Sequence, residues 1–404
     1  MRYIFKTTMA AIAWVAIACP KARAQQVPVD SALLQRVEAL ENEVAEQKKG
    51  EDHFMVVGLT TFGYVYSHTV NTVGGVSQTT RTGTFGNADT YEFSPMLLWR
   101  HGTKFLLEFE PSFNNDGLSV NWADVSYFAC PGLIVRAGYL VIPFGTYNKR
   151  LAAGWIDKLA TDPIGIDQPP STDYGVEIEG GLPMGNMKWS YDIALTNGMQ
   201  LLPDGEIQST GITDNNLNKM VTGRLALLPF SNSSLEIGVS GLFGKVGDAG
   251  SSFEGTRAAM TAVDVNYVKT FNPILVNVKA QYDLMNIGRQ HFINPNDSTQ
   301  TYTFDNTSTS GFAQLSLRPV SAGPVLKNVE VAFRYGNYTT PSNSLWGSRT
   351  DQFDVGLSYW ISWRTVLKVT HESLVGKSTV NKEIGTDMGN TRTNSWFLQF
   401  SIQL

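Results

Sequence analysis

From Phe54 to the final residue, apolar side chains recur at every second position in segment after segment, and many of the positions between them carry charge. A period of two marks strands whose two faces meet different surroundings. Phe105, Leu107, Phe109 and Phe113 share one face while Lys104, Glu108 and Glu110 take the other; further on, Ile274, Val276, Val278 and Tyr282 oppose Lys279 and Asp283. The count comes to about sixteen segments, an even number as in single-chain bacterial barrels. The last carries Trp396, Leu398, Phe400, Ile402 and Leu404.

The connections sharpen this reading because they alternate in length. Short ones include 100–102, 130–132, 183–186, 271–273 and 362–363; long ones are expected at 69–88, 143–173, 197–218, 245–257, 285–309, 338–350 and 374–393, with a short exception near Asn114-Asn115-Asp116. Extracellular loops and periplasmic turns produce this asymmetry, whereas a soluble sandwich has no reason for it. An open sheet of so many strands also leaves edges that natural proteins avoid. In hydrocarbon each unpaired backbone group costs several kcal/mol, so a spanning sheet has to close. The expected fold is therefore all-β, a transmembrane antiparallel barrel over 51–404 whose outward faces meet outer-membrane lipid. At about sixteen strands its interior is too wide for side chains to fill and becomes a channel.

Two segments precede it. Residues 1–24 read as a secretory leader, with Arg2 and Lys6 before the apolar run Met9–Ala18 and Ala22-Arg23-Ala24 before Gln25. A rival reading makes Cys19 a lipid acceptor, but Ala16-Ile17-Ala18 before it lacks the usual leucine. Removing the leader takes away four basic residues and no acidic ones, moving the formal charge from −5 to −9, so no basic field points to nucleic acid. Over 25–50, Leu33, Val37, Leu40 and Val44 fall on heptad positions, predicting a short periplasmic helix that either forms a coiled coil or stands as a linker. Beyond the leader there is no apolar run of eighteen or more residues to make a spanning helix.

Catalytic and metal signatures are incomplete. His371-Glu372 lacks a second histidine, Gly244-Lys245 is followed by Val246, and no Gly-x-Ser-x-Gly occurs. No enzyme activity, cofactor or metal is expected. The longest connection after a clear strand end, 143–173, is the third extracellular loop and carries Lys149, Arg150, Asp157, Lys158, Asp162 and Asp167. Its Leu151, Trp155, Ile156 and Leu159 would leave an apolar patch in water if the loop stayed outside, so it is expected to fold into the lumen.

Around this loop the chain resembles the phosphate-selective porin O/P family. The resemblance rests on Gly138-Tyr139-Leu140-Val141-Ile142-Pro143-Phe144-Gly145, Asp162-Pro163, Tyr174-Gly175-Val176-Glu177 and Asn197-Gly198. It implies a sixteen-stranded homotrimeric porin in the bacterial outer membrane, with an infolded third loop and basic residues that attract anions. The expectation is passive diffusion of small hydrophilic solutes, with anion or phosphate preference set by Lys149, Arg150 and Lys158 on the loop and Arg136 on the wall. One departure is plain: the inward series of Arg and Lys is nearly matched by Asp and Glu. An alternative reading is a structural or adhesive barrel whose Thr-, Asn-, Ser- and Gly-rich loops bind a surface partner.

Overall fold

The computed structural model describes residues 52–86, 90–115, 117–154, 156–168, 171–208, 214 and 216–404. The expected leader (1–24) and heptad helix (25–50) lie outside the described residues. In chain order the strands are β1 (Asp52–Val73), β2 (Val76–Phe85), β3 (Tyr91–His101), β4 (Phe105–Asn114), β5 (Gly117–Cys130), β6 (Leu133–Val141), β7 (Thr172–Met184), β8 (Met187–Thr196), β9 (Gln200–Leu201) and β10 (Ile207–Gln208). They continue with β11 (Met220–Leu228), β12 (Leu235–Lys245), β13 (Arg257–Phe271), β14 (Ile274–Ile287), β15 (Phe292–Asn294), β16 (Asp297–Tyr302), β17 (Thr307–Pro319), β18 (Val329–Thr339), β19 (Ser348–Ser362), β20 (Thr365–Ser378) and β21 (Asn390–Gln403). Two pairs, β9 with β10 and β15 with β16, are small hairpins within loops.

The other seventeen form one antiparallel sheet. It closes where β1 pairs with β21, from Leu59 opposite Gln403 to Thr72 opposite Asn390. On its other side β1 pairs with β3 along its first half and with β2 along its second, so β2 and β3 are two pieces of one wall strand and the barrel has sixteen staves. Closure leaves no sheet edge in the membrane, as a spanning sheet requires.

Burial along the staves inverts the logic of a soluble protein. On β21 the outward Trp396 and Leu398 are 54% and 46% exposed, while the inward Phe397 and Ser401 are 5% and 0% exposed. On β14 it is Lys279, Gln281 and Asp283 that are buried and Tyr282 that is exposed. Large apolar groups on the outside and charges within suit a wall between lipid and an aqueous interior.

The first expected long loop, 69–88, is corrected. Strands β1 and β2 continue through it and turn tightly at Gly74-Gly75, whose φ angles of 57° and 83° favour glycine. Threonines and serines dominate this hairpin on both faces, so strand is present where the apolar alternation that signals it is absent. The remaining long connections lie at one end of the barrel, and β4 meets β5 in the short turn the sequence showed.

Candidate functional site

The connection from β6 to β7, called L3 below, leaves the wall at Ile142-Pro143-Phe144-Gly145. Gly145 has φ +65°, and its backbone N–H donates to Ser240 Oγ on β12 at 3.0 Å. The next N–H, from Thr146, donates to Gln281 Oε1 on β14 at 3.0 Å, and the chain is thereby turned inward. A helical turn follows over Tyr147–Leu151. Tyr147 is buried, and its hydroxyl donates to Asp157 at 2.9 Å and Asp162 at 2.7 Å, tying the start of L3 to its middle. Leu151 and Ile166 pack with Tyr147 and with Phe312 of β17, and Ile156 packs against them half-buried; Leu159 is buried as well, so these apolar side chains of L3 are withdrawn from water.

Beyond that turn L3 is seated on the wall from β14 round to β20. Arg334 of β18 donates to Asp157 at 2.7 Å and to the Thr161 carbonyl at 2.6 Å, while Gln314 of β17 donates to Asp157 at 3.0 Å. Thr161 donates to Asp354 at 3.0 Å, and the backbone N–H groups of Ala160 and Ile164 donate to Thr370 and Gln352 at 3.0 and 2.8 Å. Lys368 donates to the Leu159 carbonyl at 3.0 Å. L3 therefore crosses the lumen. Burial would raise the Asp157 pKa, but Arg334, assisted by Lys279 and Lys368, holds it well below the usual carboxylate range.

Three of the four expected filter residues meet on the near side. Lys149 Nζ lies 2.5 Å from Glu177, 2.8 Å from Glu179 and 2.9 Å from Asp192. Arg136 contacts Asp124 at 2.7 Å and Glu108 at 2.9 Å, and reaches Glu179 at 3.8 Å. Arg150 contacts Glu236 at 3.1 Å and Asp192 at 3.7 Å. Glu236 and Asp264 also hold Arg224, at 2.9 and 2.6 Å, so shared carboxylates link the four cations into one ladder from β4 to β13. Burial works against charge on Lys149, yet Glu177, Asp192 and Glu179 keep its pKa above the ordinary amine value. Lys158 stands apart on the far side, 4.5 Å from the centre of the Trp360 ring and 4.0 Å from Glu330.

The oxygens of Glu177, Glu179 and Asp192 approach within 4.8 Å of one another, a spacing that suits a divalent cation. Here the Lys149 ammonium contacts all three and supplies the counter-charge.

No protein-family model and no curated protein sequence matches the chain. Among solved structures, an anion-selective porin from Comamonas acidovorans aligns with TM-score 0.53, covering 88% of this chain and 100% of its own at 13% identity. The outer-membrane channel DcaP of Acinetobacter baumannii gives 0.52 over 87% and 97% at 10% identity, and OmpF of Salmonella typhi, solved with daunomycin, gives 0.50 over 89% and 99% at 11%. The fold is that of an outer-membrane porin. Identities this low carry the architecture and say nothing of the solute.

Within this porin fold, several residues that surround and seat L3 had little signal in the sequence. Glu179 lies two positions beyond Glu177 on β7, so the strand period alone places it on the same inward face. Ser240, Gln281, Gln314, Gln352 and Thr370 seat L3 through neutral groups, and no charge pattern marks them. Arg100, Lys104, Lys188, Arg318 and Arg364 sit at strand ends and turns, away from L3; Lys104, for instance, donates to the Phe128 and Ala129 carbonyls at 3.2 Å each.

Proposed function

We propose that the chain is a passive porin of the bacterial outer membrane for small hydrophilic solutes. The observation that carries this reading is a sixteen-stave barrel with a polar interior, crossed by L3 but retaining a cavity of about 500 Å³ beside it, lined by L3, β1, β3, β20 and β21. Such a barrel encloses an aqueous lumen unless it is plugged, and an infolded loop narrows that lumen without sealing it. Lys149, Arg150 and Arg136 on one side of L3 and Lys158 on the other are the residues expected to form the constriction, and none of them lines that cavity. Each faces at least one carboxylate, which favours a sieve of mixed charge over the phosphate preference implied by the family resemblance.

The exposed apolar belt fits outer-membrane lipid, and a homotrimer is the assembly the resemblance implies. Liposomes carrying the purified protein should swell in isotonic small sugars, faster for smaller sugars. Swelling no faster than in protein-free liposomes would reject the porin reading.

A further inference from the structure

The two sides of the lumen differ in kind. Over β11 to β14 the interior near the loop end is filled by an apolar cluster that includes Phe144, Met199, Met220, Leu242, Met260 and Met285. Loops close over it: Asn306 donates to the Gly205 carbonyl at 2.7 Å, and Phe253, Phe292, Phe304 and Trp346 from three separate connections make successive ring contacts. A cavity of about 500 Å³ lies on the opposite side, between L3 and β1, β3, β20 and β21, and is larger than the one of about 330 Å³ beside Arg150, Glu179 and Asp192.

Among the described residues, the charged groups lining the larger cavity are Glu92, Asp157, Asp162, Asp167, Glu372 and one base, Lys368. The base is buried, with its ammonium turned to the Leu159 carbonyl, and Asp157 is committed to Arg334. Glu92, Asp162 and Asp167 present negative charge to the passage. Asp162 and Asp167 stand exposed on the edge of L3. Glu92 accepts from Ser94 at 2.5 Å, Ser112 at 3.1 Å and Asn121 at 3.3 Å, all neutral donors. Glu372 accepts from Gln352 at 3.0 Å. Meanwhile Arg136, Lys149, Arg150 and Arg224, the basic groups best placed to attract anions, are held by the carboxylates of the opposite wall.

We infer that the open passage prefers cations: it admits small inorganic cations and cationic or neutral hydrophilic solutes, and disfavours anions including phosphate. This rests on the porin reading. Fixed charge of one sign in a narrow aqueous path, with its counter-charges buried elsewhere, concentrates ions of the opposite sign.

The test is the reversal potential of the purified protein in a planar bilayer across a potassium chloride gradient. The inference expects a permeability ratio of potassium to chloride above one. Glu92→Gln with Asp167→Asn, neither of which ties L3 to the wall, should lower that ratio by about threefold, the scale for charges a few ångström from the path in a water-like medium. A wild-type ratio at or below one, in a channel that conducts, overturns the inference while leaving the porin reading intact. An unchanged ratio in the double variant overturns the assignment to these carboxylates. Folded protein that carries no current overturns both readings together. The wild-type measurement decides the sign of the preference even if the variant fails to fold.

Discussion

At Gly145 one residue decides where L3 goes. Its backbone conformation lies in the left-handed region, and a Cβ there would overlap the Gln281 carboxamide that receives the next two backbone N–H groups. Gly145→Ala should therefore loosen the point of departure, and trypsin should cut at Lys149 or Arg150 faster than in the wild type; equal rates would show that the turn is not what holds the loop. Lys149 has a different role. Replacing it with Met leaves Glu177 buried without the cation that contacts it and Asp192 with only Arg150 at 3.7 Å, and losing one partner of a buried pair costs about 3–5 kcal/mol. The expected outcome is a noisier, larger current as L3 works free. A channel indistinguishable from wild type would mean that the remaining contacts suffice. Both Gly145 and Lys149 were visible in the sequence, one in the Pro-Phe-Gly exit and the other as a loop cation. The three carboxylates around Lys149 come from β7 and β8, a hairpin whose short turn at 183–186 was visible too, but only the infolded loop brings Lys149 to them.

At the level of elements, the alternation of β21 or β14 could be read directly, because lipid and lumen impose opposite demands on successive residues. The tip of the β1–β2 hairpin, from 69 to 85, could not, since both of its faces are polar there and the period leaves no trace. The loops that close over the apolar cluster were equally hidden: Phe253, Phe292, Phe304 and Trp346 follow no period and meet only in three dimensions. L3 is the intermediate case, its infolding legible from Leu151, Ile156 and Leu159 but its seat on β17 to β20 not. Arg334 anchors that seat through Asp157, Asp354 and the Thr161 carbonyl. Arg334→Met should release the middle of L3 and expose Lys158 to trypsin, with cleavage at that residue compared against wild type as the readout. Resistance equal to wild type would assign the seat to the neutral contacts instead.

At the scale of the whole molecule, a porin needs a closed wall with lipid outside and water within. The outward face of β12 tests the first half, because Val239 is exposed there next to inward Ser240. Val239→Arg should lower barrel stability in vesicles by about 2–4 kcal/mol if the position lies near the bilayer midplane, measured by denaturant titration. A change within about 0.5 kcal/mol, typical of water-exposed surface, would place that face outside the hydrocarbon. The second half, water within, is tested most directly by single-channel current through purified, folded protein in a planar bilayer. Discrete ohmic steps that persist in potassium chloride are the predicted result. A membrane that stays electrically silent with folded barrels inserted would contradict the account.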